Sequence, residues 1–290
     1  MQTTPLEEYP GLATLLGVPK LYFKREDLHK YGSHKGRSIP LMIDHYRKLR
    51  ISKFAISSSG NAALSAVRHI KKINKEIKHK VSLDIFVGRG ITEEKHETLR
   101  AECTDDTTTI KQVVRPLQAL HIATKDGSAQ SLRQSIDDTA LIGYRALAKE
   151  IAEVENLDAI FIPTSSGTTA VGITDFFEKT PVHIHIVQTS MTHPISQVFD
   201  INIEESTSLA DAIVDRVAHR KDALISLLES GQGFGWTISN NEIKDIYSLV
   251  KKSTGVSLSY NSLLSVAGVK RAISHGEVFN GSIVCLITGM

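Results

Sequence analysis

Phe54-Ala-Ile-Ser-Ser-Ser-Gly-Asn-Ala-Ala-Leu-Ser-Ala-Val-Arg-His-Ile70 changes its pattern at Gly60. Ahead of the glycine, Phe54 to Ser57 is a short β-prone run. After it, Ala63, Val67, Ile70, Ile73 and Ile77 recur every three or four residues, leaving Lys71, Lys72, Lys75 and Glu76 on the other face. That spacing predicts an amphipathic helix from Asn61 to about Lys78. A strand that passes through a turn of small residues into a helix is the first half of a βαβ unit.

The same grammar recurs along the chain. Strands are predicted at Leu21 to Phe23, Val81 to Val87, Ile110 to Val114, Ala159 to Ile162, His183 to Gln188, Thr237-Ile238 and Ile283 to Ile287. Helices are predicted from near Ser38, with Pro40 in the first turn, and at Thr92 to Cys103, Asp138 to Val154, Thr169 to Phe177 and Asn261 to His275. Ser239 and Glu242 have the spacing of a capping box for a helix reaching Ser253, since each side chain can satisfy the other's free backbone N–H. Val114 to Asp138 reads as irregular, and Ser208 to Asp211 precedes a helical-looking segment. Strands separated by helices give an α/β fold with a largely parallel sheet. Such sheets bind ligands beyond the carboxyl ends of their strands, so the loops there carry the functional reading.

Composition narrows the function classes. Hydrophobic residues make up 41% and charged residues 23% of 290 residues, ordinary values for a globular chain. Lys plus Arg is 34 and Asp plus Glu 32, so 34 − 32 = +2, and no charge excess points to nucleic acid or an anionic membrane. The apolar run Ile283 to Ile287 is far short of the roughly 20 residues a membrane helix needs. Met1 to Leu12 shows no secretory h-region. Cys103 and Cys285 stand apart, without a Cys/His cluster, so neither a disulfide framework nor a metal site is expected. The expectation is a cytoplasmic protein.

Three loops and one lysine carry chemistry. Ser57-Ser58-Ser59-Gly60-Asn61-Ala62 joins a strand to a helix whose first N–H groups suit a carboxylate or phosphate; a plain capped turn fits the same residues. Thr164-Ser165-Ser166-Gly167-Thr168-Thr169 follows an apolar strand and also opens a helix. It is neither a Walker A loop nor G-x-G-x-x-G, and it reads as an anion cradle or a turn. Thr288-Gly289 follows the last strand, where a hydroxyl could bond a ring nitrogen or simply belong to a frayed end. Lys35, in Lys24-Arg-Glu-Asp-Leu-His-Lys-Tyr-Gly-Ser-His-Lys-Gly-Arg37, lies ahead of a helix. A cation is disfavoured there, which favours the neutral amine that Schiff-base chemistry requires.

Lys24-Arg-Glu-Asp-Leu28 through Ser33-His-Lys-Gly-Arg37, then Ser58-Ser-Gly-Asn-Ala62, the Gly167 loop and a final strand ending Thr288-Gly289 together resemble the tryptophan-synthase-β-like pyridoxal-phosphate enzymes of fold type II. Within them the chain is most similar to threonine synthases, through Ser58 to Ala63, and the resemblance runs from Thr4 to Thr288. It implies two open, mostly parallel α/β lobes with pyridoxal 5'-phosphate in the cleft between them. Residues 1–36 and 139–290 would form the larger, phosphate-binding lobe, and 37–138 the smaller, mobile one carrying the substrate-carboxylate loop.

Carried over by position, Lys35 resembles the lysine that holds the cofactor and moves protons at the substrate carbons. Ser58, Ser59 and Ala62 match the substrate-carboxylate loop, and Asn61 the contact to the cofactor's ring hydroxyl. Ser165, Ser166, Gly167, Thr168 and Thr169 match the phosphate loop, and Thr288 the partner of the pyridine nitrogen. Ser33, His34 and Arg37 are candidates for a substrate γ-phosphate, or for helix capping and surface charge. The resemblance implies a homodimeric lyase releasing phosphate from O-phosphohomoserine and adding water to give threonine. A cysteine-synthase-like replacement, a dehydratase acting on serine or threonine, and a cofactor-binding paralogue without turnover remain alternatives. Two departures bear on them: Gly167-Thr168 stands where relatives have paired glycines, and Ser259 where many have glutamate.

Overall fold

The computed structural model describes residues 3–201, 204–230 and 233–289. Its strands are β1 (Leu6–Glu8), β2 (Lys20–Arg25), β3 (Lys53–Ser57), β4 (Ser82–Gly88), β5 (Thr108–Val113), β6 (Gln130–Ser131), β7 (Leu157–Pro163), β8 (His183–Thr189), β9 (Phe234–Ile238) and β10 (Ser282–Ile287). The helices are α1 (Pro10–Leu16), α2 (Lys35–Lys48), α3 (Asn61–Glu76), α4 (Glu93–Glu102) and α5 (Pro116–Thr124). They continue with α6 (Thr139–Ile151), α7 (Thr168–Phe177), α8 (Lys221–Ser230), α9 (Asn240–Thr254) and α10 (Tyr260–Ser274). Two compact units emerge, Met1–His29 with Tyr144–Met290, and Lys30–Gly143.

The first unit is built on a six-stranded sheet in the order β1-β2-β10-β7-β8-β9. Only β1 runs antiparallel; every other pairing is parallel. β10 is buried along its whole length, as expected of a central parallel strand covered on both faces. α10 lies close enough on the sheet that a Cβ on Gly268 would come within 2.6 Å of Val187 Cγ2. The charged Lys24-Arg25-Glu26-Asp27 run proves to be structural. Buried Lys24 donates to Glu150 at 2.6 Å and to the Thr4 carbonyl at 2.7 Å. Arg25 bridges Asp27 and Glu7, and Glu26 accepts from the Thr4 hydroxyl. These bonds fasten the N-terminal segment to β2, leaving few of the charges exposed and unpaired.

The second unit has a four-stranded, all-parallel sheet in the order β5-β4-β3-β6. Its core joins Ile39, Met42 and Ile43 of α2, Ala63, Val67, Ile70 and Ile73 of α3, and Phe54, Ile56, Leu83 and Ile85 of the sheet.

Several boundaries depart from the sequence expectation. α2 begins at Lys35, three residues before the expected start, because the Lys35 N–H reaches Ser33 Oγ at 3.3 Å and the Gly36 N–H reaches the Ser33 carbonyl at 3.0 Å. Pro40 therefore sits one turn inside the helix, where it lacks the N–H that Gly36 would otherwise accept. α1 and α5 were not anticipated; both start with proline at the first helical position, where its fixed φ favours the helix. The segment after Asp211 is irregular, and the helix comes only at Lys221. Asn240 Oδ1 accepts from Leu209 N–H and Asn261 Oδ1 from Ala212 N–H, holding the segment outside any helix. Asp137 Oδ1 accepts from Thr139 N–H at 2.9 Å where α6 begins. The Ser239–Glu242 capping box is formed.

Candidate active site

In the first unit the phosphate-type loop leaves the carboxyl end of β7. Gly167 precedes α7 with φ +86°, a left-handed conformation that an L side chain adopts only with strain. The helix begins without a side-chain cap at that position, so its first-turn N–H groups have no intrahelical acceptor. Ser166 and Thr168 hydroxyls lie 3.0 Å apart. Ser165 Oγ instead accepts from the N–H groups of Val214 and Asp215, both at 3.2 Å, which ties the loop to the irregular segment. Thr168 and Thr169 are buried. A Cβ on Gly167 would lie 3.3 Å from Arg220 Cβ and 3.5 Å from Leu224 Cδ2, so this glycine is required by backbone conformation and by packing behind the loop.

Thr288 follows β10, which lies beside β7 in parallel register, with Cys285 opposite Phe161. The sheet thereby brings Thr288 and the Ser165–Thr169 loop to the same edge. Buried Ser262 accepts from Gly289 N–H at 3.3 Å and donates to its carbonyl at 2.8 Å, with its oxygen 3.4 Å from the Thr288 hydroxyl. Ser259 caps α10 and donates to the same carbonyl at 2.6 Å. A fixed, buried Thr288 replaces the frayed end that the sequence also allowed. Sequence reasoning overlooked Ser262; its signal was a serine one helical turn from the Ser259 cap.

In the second unit Ser58 and Ser59 lie between β3 and α3, and Asn61 and Ala62 open α3, all four half-buried. Gly60 has φ −131°, and a Cβ there would meet nothing within 4 Å. Lys35 is half-buried at the first position of α2, while Ser33 is wholly buried. Arg37 is 2% exposed, which overturns the surface-charge alternative: its neighbourhood is tight enough that a Cβ on Gly143 would stand 2.1 Å from the Arg37 carbonyl oxygen.

Four residues of this unit that the sequence did not single out form a polar chain. Tyr31 Oη lies 2.8 Å from His69 Nδ1, and His69 Nε2 lies 3.0 Å from Asp44 Oδ1. A carboxylate only accepts, so Nε2 carries the proton that meets Asp44, and Nδ1 completes the chain with the Tyr31 hydroxyl. Burial raises the Asp44 pKa, but the His69 bond and charge, with Arg47, outweigh it and hold the carboxyl below its usual range. Burial, and then the Asp44 charge, push the Tyr31 phenol up. Arg68, beside His69, reaches the Tyr31 carbonyl with Nη1 at 2.9 Å.

Residues 1–289 match the family described as "Pyridoxal-phosphate dependent enzyme", and the chain belongs to that family. It is 23% identical to a threonine synthase of Methanocaldococcus jannaschii over a 311-residue alignment covering 99% of this chain and 74% of that one. With a threonine synthase of Methanosarcina acetivorans it shares 24% identity over 314 aligned positions, again 99% and 74%. Among solved structures it superposes on a pyridoxal 5'-phosphate-dependent aspartate racemase with a TM-score of 0.82 at 18% identity, covering 99% of this chain and 89% of that one. A threonine deaminase isoform from Solanum lycopersicum gives 0.79 at 20% identity, covering 99% and 83%. The fold is that of these fold-type II enzymes, and the cofactor is pyridoxal phosphate. The residues present suit it: a glycine in the left-handed conformation ahead of an uncapped helix start offers backbone donors to a phosphate, and a primary amine is available at Lys35. Among the described residues, no helix is long and apolar enough to cross a membrane.

Proposed function

We propose that the protein is a threonine-synthase-like lyase that releases phosphate from O-phosphohomoserine and adds water to give threonine. The observation that carries this reading is the alignment of two threonine synthases along 99% of the chain. The Ser58-Ser59-Gly60-Asn61-Ala62 loop supports it. When bound, pyridoxal phosphate supplies the electron sink for negative charge at the substrate's α-carbon.

In this reading the protein's own groups divide the remaining work. N–H groups at the start of α7, with the Ser165–Thr169 loop, hold the cofactor phosphate, Thr288 meets the ring nitrogen and Asn61 the ring hydroxyl. A neutral hydroxyl at Thr288, unlike an aspartate, leaves that nitrogen unprotonated, which favours elimination and replacement over transamination. Ser58, Ser59 and Ala62 seat the substrate carboxylate. Lys35 holds the cofactor, takes the α-proton and returns protons at the carbons that change. Ser33, His34 and Arg37 serve the γ-phosphate, and buried Arg37 is the strongest of them, because a cation removed from water binds an anion more tightly. The reading carries with it a cytoplasmic homodimer, residues 37–138 acting as the mobile lobe.

The test is turnover by the cofactor-loaded protein. Equal amounts of inorganic phosphate and threonine are expected from O-phosphohomoserine. Borohydride reduction followed by peptide mapping should place the cofactor on Lys35. Sulfide-dependent turnover of O-acetylserine, or ammonia release from threonine, with none from O-phosphohomoserine, would move the protein to another reaction of the family. A bound cofactor with no turnover on any of them would make it a non-catalytic paralogue.

A further inference from the structure

α3 opens with Asn61, and about two turns later the same helix grips the residues just ahead of Lys35. Arg68 is the point of contact. Its Nη1 donates to the Tyr31 carbonyl at 2.9 Å, while its Nε is held at 2.8 Å by Glu102 at the end of α4. The guanidinium lies over Gly32, which has φ +83°, and a Cβ there would stand 2.8 Å from Nη1. His69 is the second point. Its Nδ1 shares a hydrogen bond with the Tyr31 phenol, which meets its ring edge-on at 89°, and its Nε2 donates to Asp44. Asp44 is on α2, nine residues beyond Lys35, or roughly 13 Å along the helix. α2 is thus tied to α3 directly through Asp44 and, ahead of its first residue, through Tyr31 and Gly32. Two attachments that far apart fix both the slide and the rotation of one helix against the other. Apolar packing alone would hold the helices with less directional specificity, since hydrogen bonds require orientation.

We propose that Arg68 and His69 are positioning residues that set where Lys35 stands relative to Asn61, so that the helix presenting the carboxylate loop also aligns the cofactor's lysine. The inference rests on the reading of Lys35 given above. Neither side chain touches the reacting atoms; they act through Tyr31 and Gly32.

The experiment uses the full chain, freed of cofactor and reloaded with pyridoxal phosphate. The covalent attachment is followed by visible absorbance and trapped with borohydride. Arg68→Met should slow attachment by about tenfold and Tyr31→Phe by about threefold, while Arg68→Lys, which can still donate to the Tyr31 carbonyl, should recover most of the rate. Cofactor affinity measured in a Lys35→Ala background should stay within about twofold, because the phosphate contacts are separate from this clamp. Tyr31→Phe keeps the ring and carries the test if Arg68→Met fails to fold. Attachment rates within twofold of the unaltered protein overturn the proposal. So does a slowing that Arg68→Lys leaves unrepaired and that follows only the loss in thermal midpoint. A borohydride label away from Lys35 in the unaltered protein sinks the earlier reading instead; a label on Lys35 with unchanged rates sinks the clamp alone.

Discussion

Ser58-Ser59-Gly60 and Ser165-Ser166-Gly167 each join a parallel strand to a helix, with the glycine immediately before the first helical residue. Gly60 has φ −131° and open space where a side chain would point, whereas Gly167 has φ +86° and neighbours within 3.7 Å. The serines differ as well. Ser58 Oγ accepts from Gly60 N–H within its own turn, while Ser165 Oγ holds two N–H groups some fifty residues away. Helix α3 starts with half-buried Asn61 and Ala62, and α7 with buried Thr168 and Thr169. One turn is a half-buried loop bonded within itself. The other is a fixed cradle braced from behind. Identical letters take different backbones because the residues packed around them differ.

Acid should separate the two surroundings most widely. In the first unit His185 is sandwiched against Phe161 at 4.4 Å and accepts from the Trp236 indole at 3.1 Å. Burial, helped by the His183 charge, pulls its pKa down from 6.5 to about 3. The unfolded chain therefore binds a proton below pH 6.5 that the folded chain refuses, and stability falls as pH drops through that window. The loss is up to about 1.4 kcal/mol per pH unit, or about 3 kcal/mol by pH 4. His185→Gln should flatten that slope in denaturant titrations between pH 7 and pH 4. Asp44 in the second unit, with its depressed pKa, is stabilising above the ordinary carboxylate range and loses that contribution only as pH falls through its lower folded value. A slope between pH 6.5 and 5 that survives His185→Gln would place the acid-sensitive group elsewhere.

The glycines come next. Gly167→Val forces a β-branched residue to φ +86° and should cost about 1–3 kcal/mol of stability, with a further loss of cofactor affinity by equilibrium dialysis. Gly60→Val, with room at its position, should cost less than about 1 kcal/mol. Equal losses at the two positions would remove the distinction between cradle and loop.

Serine changes should be milder. Ser165→Ala strips the acceptor from two N–H groups, one half-buried at Asp215, and should cost about 1 kcal/mol in unfolding free energy. Ser58→Ala loses only the bond to Gly60 and should stay within about 0.5 kcal/mol. It should, however, raise the KM for the amino-acid substrate if Ser58 seats the carboxylate. An unchanged KM would take Ser58 out of the substrate loop.

Sequence alone determined the alternation of strands and helices. The periodicity of Ala63, Val67, Ile70 and Ile73 and the Ser239–Glu242 box are local signals, written within one or two helical turns. It also determined the family resemblance, because the motif residues recur in a fixed order that one chain can display without being folded. Helices α1 and α5 were legible too, through the proline at the first helical position of each. What the sequence could not decide were the arrangements that join distant positions. Only the sheet order puts β10 beside β7, and with it Thr288 beside the Ser165–Thr169 loop. Only packing buries Arg37 and gives Gly167 its sign of φ. Only the placement of α3 against α2 lets Arg68 and His69 reach Tyr31 and Asp44. Periodicity reports which face of an element is apolar, but the partner across that face, and the hydrogen bonds it completes, are set by residues tens of positions away.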